Sequence, residues 1–226
     1  MDMFNRTRLL FGDKAVDKLQ KSTVMVVGCG AVGSFAIEAL CRTGVGNLIL
    51  VDSDVVDESN INRQLFATTK TVGVPKVDVA SKRVLEINPD ANVSALQMFF
   101  DDTSIIDVHP DFVVDAIDTV KSKMALYRWC IARDIDFISS MGAAMKTDIS
   151  KIRFGNIYDT TVCPLAATIR RMARTKNLPD FPVVYSVERP MNNPESADHI
   201  FGSVVTTTGT FGLMMAQYAV NYLINK

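Results

Sequence analysis

The apolar positions of this chain fall into short unbroken runs separated by stretches with helical spacing. "TVMVVG" (23–28) is continuously apolar, the pattern of a central parallel strand covered on both faces. It leads through "GCGAVG" into "SFAIEALCRTG", a predicted helix with a glycine stop at Gly44. "NLILVD" predicts a second strand, and Pro75 opens a helix over "KVDVASKRVLEIN" that stops before Pro89. "NVSALQ", "DFVVDAID" and "DFISS" predict three more strands, with "TVKSKMALYRWCIARD" a helix between the last two. Ahead of all these, residues 7–20 predict one short helix outside the sheet, packing through Leu9, Leu10, Val16 and Leu19.

Beyond residue 145 the alternation loosens. "ISKIRFGNI" predicts an extended strand, and "CPLAATIRRMARTK" a basic amphipathic helix with Pro near its start. "PVVYSVE" reads as another strand, "RPMNNPESADH" as an irregular loop, and the last helix runs from about Thr208 to Leu223. Together these elements predict an α/β class fold, Rossmann-like, with a mostly parallel sheet and flanking helices. The chain reads as a single domain over 1–226, with a nucleotide-binding core at 21–145 and an extension of strands and helices at 146–226.

Composition narrows this little. Of 226 residues, 48% are hydrophobic and 22% charged, the mix of a globular protein with a sizeable core. A net charge of −1 neither demands nor excludes a nucleic-acid partner, but its distribution is uneven. Asp52, Asp54, Asp57 and Glu58 crowd one loop, whereas residues 146–176 hold seven Lys or Arg against two Asp. Cys29, Cys41, Cys130 and Cys163 form no CxxC pair, which argues against a four-cysteine zinc site and a disulfide framework. A reducing cytoplasm is the expected home, and the amino end has no secretion pattern. The nearly uncharged "IFGSVVTTTGTFGLMMAQYAVNYLI" contains a Thr run, Gln217 and Asn221, so a buried core helix is expected rather than a membrane span. His109 and His199 are isolated and form no metal motif.

The chemistry concentrates around "GCGAVG". A G-x-G-x-x-G between a strand and a helix permits a tight turn at Gly28, phosphate approach at Gly30 and close helix–sheet packing at Gly33. The helix amino end offers unpaired N–H groups to phosphate. Asp52, 19 residues past Gly33, ends the second strand, where a carboxylate accepts from ribose hydroxyls. A dinucleotide site leaves the rest unexplained: "DSDVVDESNINRQ" with Asp54, Asn60, Arg63 and Gln64, then Lys76 opening the next helix, then Asp118 after the fourth strand. Cations and an acid converging from three loops suit cleavage of a phosphoanhydride, often with a metal ion. Surface charge, or a helix-capping role for Asp118, is the alternative reading of the same residues.

"GCGAVG", "DSDVVDESNINRQ", "GVPK" and "DAID", in this order and spacing, resemble the adenylating enzymes of the ubiquitin-activating (E1-like) superfamily, the group of MoeB and ThiF. The resemblance implies ATP and Mg²⁺ as cofactors. It makes Asp52 the ribose ligand, Arg63 and Lys76 the catalytic phosphate contacts, and Asp118 the acid that supports magnesium and catalysis. It also implies a homodimer in which Arg6 of "FNR" reaches the partner's nucleotide, although from the residues alone Arg6 reads as surface. The extension 146–226 then becomes the substrate-binding and dimer-forming part.

The second half carries a narrower resemblance. "FNRTRLLFG", "VVDAIDTVKSKMALYRWC", an Arg-rich "PLA" helix, "VVYSVE" and "GSVVTTTGTFGLMMA" are similar to the tRNA threonylcarbamoyladenosine dehydratases over nearly the whole chain. That similarity implies tRNA as substrate, adenylation of the threonylcarbamoyl carboxylate at position 37, cyclisation with loss of water, and room for sulfur-transfer helper proteins. The rival within the superfamily is adenylation of a sulfur-carrier protein's C-terminus. Arg170, Arg171, Arg174 and Lys176 are the candidate contacts to tRNA backbone, against the alternative of a solvated helix face. Cys163 stands where that group's pattern has an acid. It is a candidate nucleophile by type, but a packing or helix-cap position is the expectation. Cys29 is expected to be a small buried filler.

Overall fold

The computed structural model describes residues 2–191 and 201–226. The predicted first helix is two, α1 (Asn5–Phe11) and α2 (Asp13–Lys21), broken at Gly12 with φ +86°. Val16 and Leu19 are fully buried as expected, but Leu9 and Leu10 are 73% and 75% exposed, so they are not packing points. The left-handed turn at Gly12 redirects the chain and leaves α1 with no buried residue of its own. Arg8 ties this corner together, donating to the carboxylates of Asp2 (2.6 Å) and Asp17 (2.7 Å).

The strands are β1 (Thr23–Val27), β2 (Asn47–Asp52), β3 (Asn92–Gln97), β4 (Phe112–Asp115), β5 (Phe137–Ser140), β6 (Ile152–Asn156) and β7 (Pro182–Ser186). They form one seven-stranded sheet in the order β3-β2-β1-β4-β5-β7-β6, parallel except for β6 against β7. The remaining helices are α3 (Gly33–Thr43), α4 (Lys76–Ile87), α5 (Val120–Ile131), α6 (Pro164–Thr175) and α7 (Val205–Asn225). The strand β4 is shorter than its apolar run predicts, which leaves Ala116–Asp118 as loop. Most of "RPMNNPESADH", with His199, lies outside the described residues.

The unbroken apolar run of β1 has a direct explanation in the two faces of the sheet. Val24 and Val26 enter one core with Leu40, Val84 and Phe211, while Met25 and Val27 enter the other with Leu126, Tyr127 and Ile169. Full burial of such a side chain contributes about 1.5–3 kcal/mol. The uncharged α7 belongs to the first core through Phe211, Met215, Ala219 and Leu223. Among the described residues no helix is long and apolar enough to cross a membrane. α7 lies so close to the start of α3 that a Cβ on Gly212 would stand 2.3 Å from the Val32 carbonyl oxygen. This contact fixes the amino end of α3, and with it the glycine loop.

Candidate active site

The strand order reverses between β1 and β4, and the crevice at their carboxyl ends is where open α/β sheets collect ligands. Gly28 turns there with φ +95°, so close to β4 that a Cβ would lie 2.7 Å from the Ala116 carbonyl oxygen. At Gly33 a Cβ would lie 1.7 Å from the Gly28 carbonyl oxygen, which only glycine permits. Gly30 differs: its missing Cβ would meet a single neighbour, Gln64 Nε2 at 3.7 Å. The loop is therefore packed on its inner side and open where a phosphate approaches. Among the described residues this opening, beside the amino end of α3, fits a nucleotide's phosphates.

Asp52 ends β2 beside this turn. Its carboxylate accepts from the backbone N–H groups of Cys29 (2.7 Å) and Asp54 (2.9 Å). Burial raises the Asp52 carboxyl above its ordinary value, against the opposing pull of the Asp54 N–H, Lys76 and the Cys29 N–H. The remaining lone pairs suit ribose hydroxyls. Cys29 itself is a buried filler, as expected.

The polar loop after Asp52 is held by its own side chains. Asp57 caps the short turn Glu58–Asn60 by accepting from Ser59 N–H at 2.8 Å, and Asn60 Oδ1 accepts in return from Asp57 N–H. Asn60 is thus buried and committed to loop shape. Ser34, in the first turn of α3, accepts from the Leu65 N–H at 3.1 Å, pinning Arg63 and Gln64 beside the glycine turn. Among the described residues the Arg63 guanidinium donates only to neutral acceptors, Ser59 O (2.7 Å) and Asn62 Oδ1 (2.9 Å). Lys76 is buried and donates to Asp54 at 2.7 Å, which holds the Asp54 carboxyl below the usual carboxylate range. The structure thus brings together Gly28, Gly30, Gly33, Asp52, Asp54, Asn60, Arg63, Gln64 and Lys76.

Asp118 follows β4 on the loop that passes the glycine turn, where a Cβ on Gly28 would lie 2.7 Å from Ala116 O and 3.2 Å from Ile117 N. It is exposed, accepts from the Thr119 hydroxyl at 3.1 Å, and does not cap α5, whose N-cap is Thr119 without a side-chain bond. Among the described residues no three acids, histidines or cysteines cluster as a self-sufficient metal cage. One exposed carboxylate beside a phosphate site suits Mg²⁺, which keeps several waters and takes its other ligands from phosphate.

Beneath Asp118 lies a network that sequence reasoning missed. Asp115 and Lys123 are both fully buried and paired at 2.8 Å. Ser139 donates to the same carboxylate at 2.6 Å and lies 2.7 Å from the Tyr127 hydroxyl. The other Asp115 oxygen accepts from Ile117 N–H, shaping the turn that presents Asp118. An acid inside the apolar run "FVVDAI" was the available signal for Asp115. Nothing in "KSKMALY" marks which lysine turns inward.

The remaining candidates separate. Arg6 is exposed on α1, away from this chain's crevice, and makes no side-chain bond among the described residues. Arg170 donates to Thr160 O and Oγ1, both at 2.6 Å, so it is a structural tie rather than a free contact. Arg171, Arg174 and Lys176 are exposed, Arg174 lying over the Tyr158 ring at 5.3 Å. Cys163 is buried at the N-cap of α6, the expected packing position. His109 is an exposed loop residue. Lys146, which no motif marks, is buried and donates to Gly142 O at 2.6 Å. Burial lowers its amine below the usual lysine value, with Cys163 and Glu188 opposing.

Comparison with known proteins places this arrangement. The tRNA threonylcarbamoyladenosine dehydratase of Bacillus subtilis is 43% identical over 195 residues, covering 84% of this chain and 77% of the relative. Crystal structures of Escherichia coli tRNA N6-threonylcarbamoyladenosine dehydratase in complex with AMP and with ATP superpose with TM-scores of 0.92 and 0.91. Their identities to this chain are 31% and 32%, and each match covers 99% of this chain and 94% of the other. Residues 4–226 match the ThiF family as a whole. The chain belongs to the ThiF family and groups within it with the tRNA threonylcarbamoyladenosine dehydratases.

Proposed function

We propose that this protein is an ATP-dependent enzyme that adenylates the carboxylate of N6-threonylcarbamoyladenosine at tRNA position 37 and closes it into a ring by dehydration. The observation that carries the site chemistry is Arg63, a guanidinium bonded, among the described residues, only to neutral acceptors on a loop pinned against an open glycine turn. Such a cation is poised for an anion that arrives with the substrate.

A carboxylate oxygen attacks the α-phosphorus of ATP, the bond to pyrophosphate breaks, and an acyl-adenylate forms. Two unit charges 4 Å apart repel by about 4 kcal/mol at an effective dielectric of 20. Arg63 and Lys76 offset that repulsion and the charge developing on the leaving phosphates. Mg²⁺ supplies further neutralisation when bound, with Asp118 as its protein ligand. In the second step a carbamoyl atom of the same side chain attacks the activated carbonyl. AMP leaves with the former carboxylate oxygen, and one carbamoyl N–H proton is lost. The tether gives this step a high effective concentration, so no protein nucleophile is required.

Two finer readings accompany this. Arg171, Arg174 and Lys176 hold tRNA backbone by charge, with little reading of sequence. The protein acts as a homodimer in which Arg6 reaches the partner's nucleotide, supported by the exposed Leu9 and Leu10 on the same helix. The free thiols of Cys29, Cys41, Cys130 and Cys163 are in keeping with a reducing, cytoplasmic setting.

The deciding experiment is mass spectrometry of nucleosides from threonylcarbamoyl-modified tRNA after incubation with enzyme and ATP. The expected product is the modified adenosine less one water. Arg63→Ala and Asp118→Ala are expected to fold and to lose ATP–pyrophosphate exchange with that tRNA. Normal exchange in both variants would sink the assignment.

A further inference from the structure

We infer that Lys146 binds the carboxylate that is to be adenylated, its amine beside Gly142 forming the acceptor's anion site. The inference rests on the dehydratase reading above. Lys146 is 3% exposed, yet among the described residues no carboxylate pairs with its amine. One N–H donates to Gly142 O, and the other two have no protein partner there. The nearby acid, Glu188, is already committed, accepting from Thr147 N–H (3.1 Å), Asp148 N–H (2.9 Å) and the Thr147 hydroxyl. A buried ammonium without a counter-charge is costly, and it becomes useful when an anion enters beside it.

The backbone is strained on both sides of this cluster. Met145 (φ +59°) and Val162 (φ +64°) sit in the left-handed region without being glycine, and the second is β-branched. They immediately precede Lys146 and Cys163. A Cβ built on Gly142 would lie 3.4 Å from Cys163 Sγ and 4.0 Å from Lys146 Nζ, so both side chains converge on that glycine. Neighbours hold the strained loop in place: Met145 N–H donates to Gly202 O (2.9 Å), Met191 N–H to Met145 O (2.7 Å), and the Thr207 hydroxyl to Lys146 O (3.0 Å). Strain held by so many contacts is characteristic of sites whose geometry matters. Cys163 is the N-cap residue of α6, and its side chain makes no capping bond.

The Lys146 loop is tied to the nucleotide crevice. Asn62, next to Arg63, donates to Ser203 O at 3.2 Å, and the adjacent Gly202 accepts from Met145. The 202–203 segment therefore bridges the Arg63 loop and the Lys146 loop. The strand β5 that leads into this loop also neighbours β4, which leads to Asp118. A carboxylate on Lys146 would stand on the acceptor side of the crevice with its charge partly neutralised before it meets the triphosphate.

The test uses Lys146→Met, which keeps length and removes charge and donors, and Lys146→Gln, which keeps a donor. Removing one charge-assisted hydrogen bond to carboxylate should lower kcat/KM for modified tRNA about 10- to 100-fold, mostly through KM. The ATP dissociation constant should stay at the parental value, and Lys146→Gln should fall between parent and Lys146→Met. Saturation-transfer NMR with N-carbamoyl-threonine supplies an arm independent of tRNA, with a signal expected from the parent and lost in Lys146→Met. Equal signals, or none from either protein, overturn the inference, as does a kcat/KM within twofold of the parent. A parent that binds the probe through Lys146 yet forms no cyclised nucleoside would overturn the dehydratase reading and leave the anion site standing.

Discussion

Gly30 and Gly33 lie three residues apart, yet a methyl group added to each has different consequences. On Gly30 the new Cβ meets only Gln64 Nε2 at 3.7 Å, an ordinary contact. Gly30→Ala is therefore expected to fold, with stability changed by no more than about 1 kcal/mol through the unfolded chain. The methyl nonetheless stands where phosphate must approach the backbone. Losing one charge-assisted bond to the loop costs about 1.5–3 kcal/mol, or about 10- to 150-fold in the ATP dissociation constant. On Gly33 the Cβ would lie 1.7 Å from the Gly28 carbonyl oxygen, a backbone atom with no room to yield. Overpacking of that severity costs at least about 3 kcal/mol, which lowers Tm by roughly 6–12 °C for a chain of this size. Calorimetric titration with ATP and thermal unfolding separate the two variants. A Gly30→Ala protein that binds ATP like the parent, or a Gly33→Ala protein of parental stability, would refute the reasoning.

Three further outcomes follow from the same geometry. Lys123→Met strands the fully buried Asp115 carboxylate and should cost about 3–5 kcal/mol in urea unfolding. Adding Asp115→Asn should restore most of it, and equal losses in the single and double variants would show that the pair is not what holds the turn. Cys163→Ala should still cyclise the nucleoside, because ring closure is intramolecular; adenylate accumulating without cyclised product contradicts this. Asp54 titrates below its ordinary 3.8 because Lys76 donates to it, so the pair stabilises the fold above the unfolded value and loses that contribution as pH falls through the folded one. The stability difference between the parent and Asp54→Asn should therefore shrink from about pH 5 to pH 3, and a difference independent of pH would exclude the linkage.

The strands and helices of the nucleotide half were legible because each is covered on known faces. The apolar run of β1 and the Gly44 stop of α3 are local patterns with one physical solution. The first helix differs from its pattern because the leucines follow helical spacing, and only the turn at Gly12 decides that Leu9 and Leu10 face outward. Arg170 shares its spacing with Arg174, but its contact with Thr160 comes from a segment ten residues away that no periodicity connects to it.

By itself, then, the sequence determined the chemistry available at the crevice. The glycine turn, Asp52, the Arg63 loop, Lys76 and Asp118 are fixed in type and order by motifs whose geometry is local. Tertiary structure decided which charges are free to act. Folding buries Lys123 against Asp115, pairs Lys76 with Asp54, commits Arg170 to Thr160 and, among the described residues, leaves Arg63 with neutral acceptors alone. It also brings Lys146 and Cys163, 17 positions apart, to the same glycine. A lysine's letter carries the same charge wherever it stands. Burial and partners belong to the packed state, and they set whether that charge is spent within the protein or kept for a substrate.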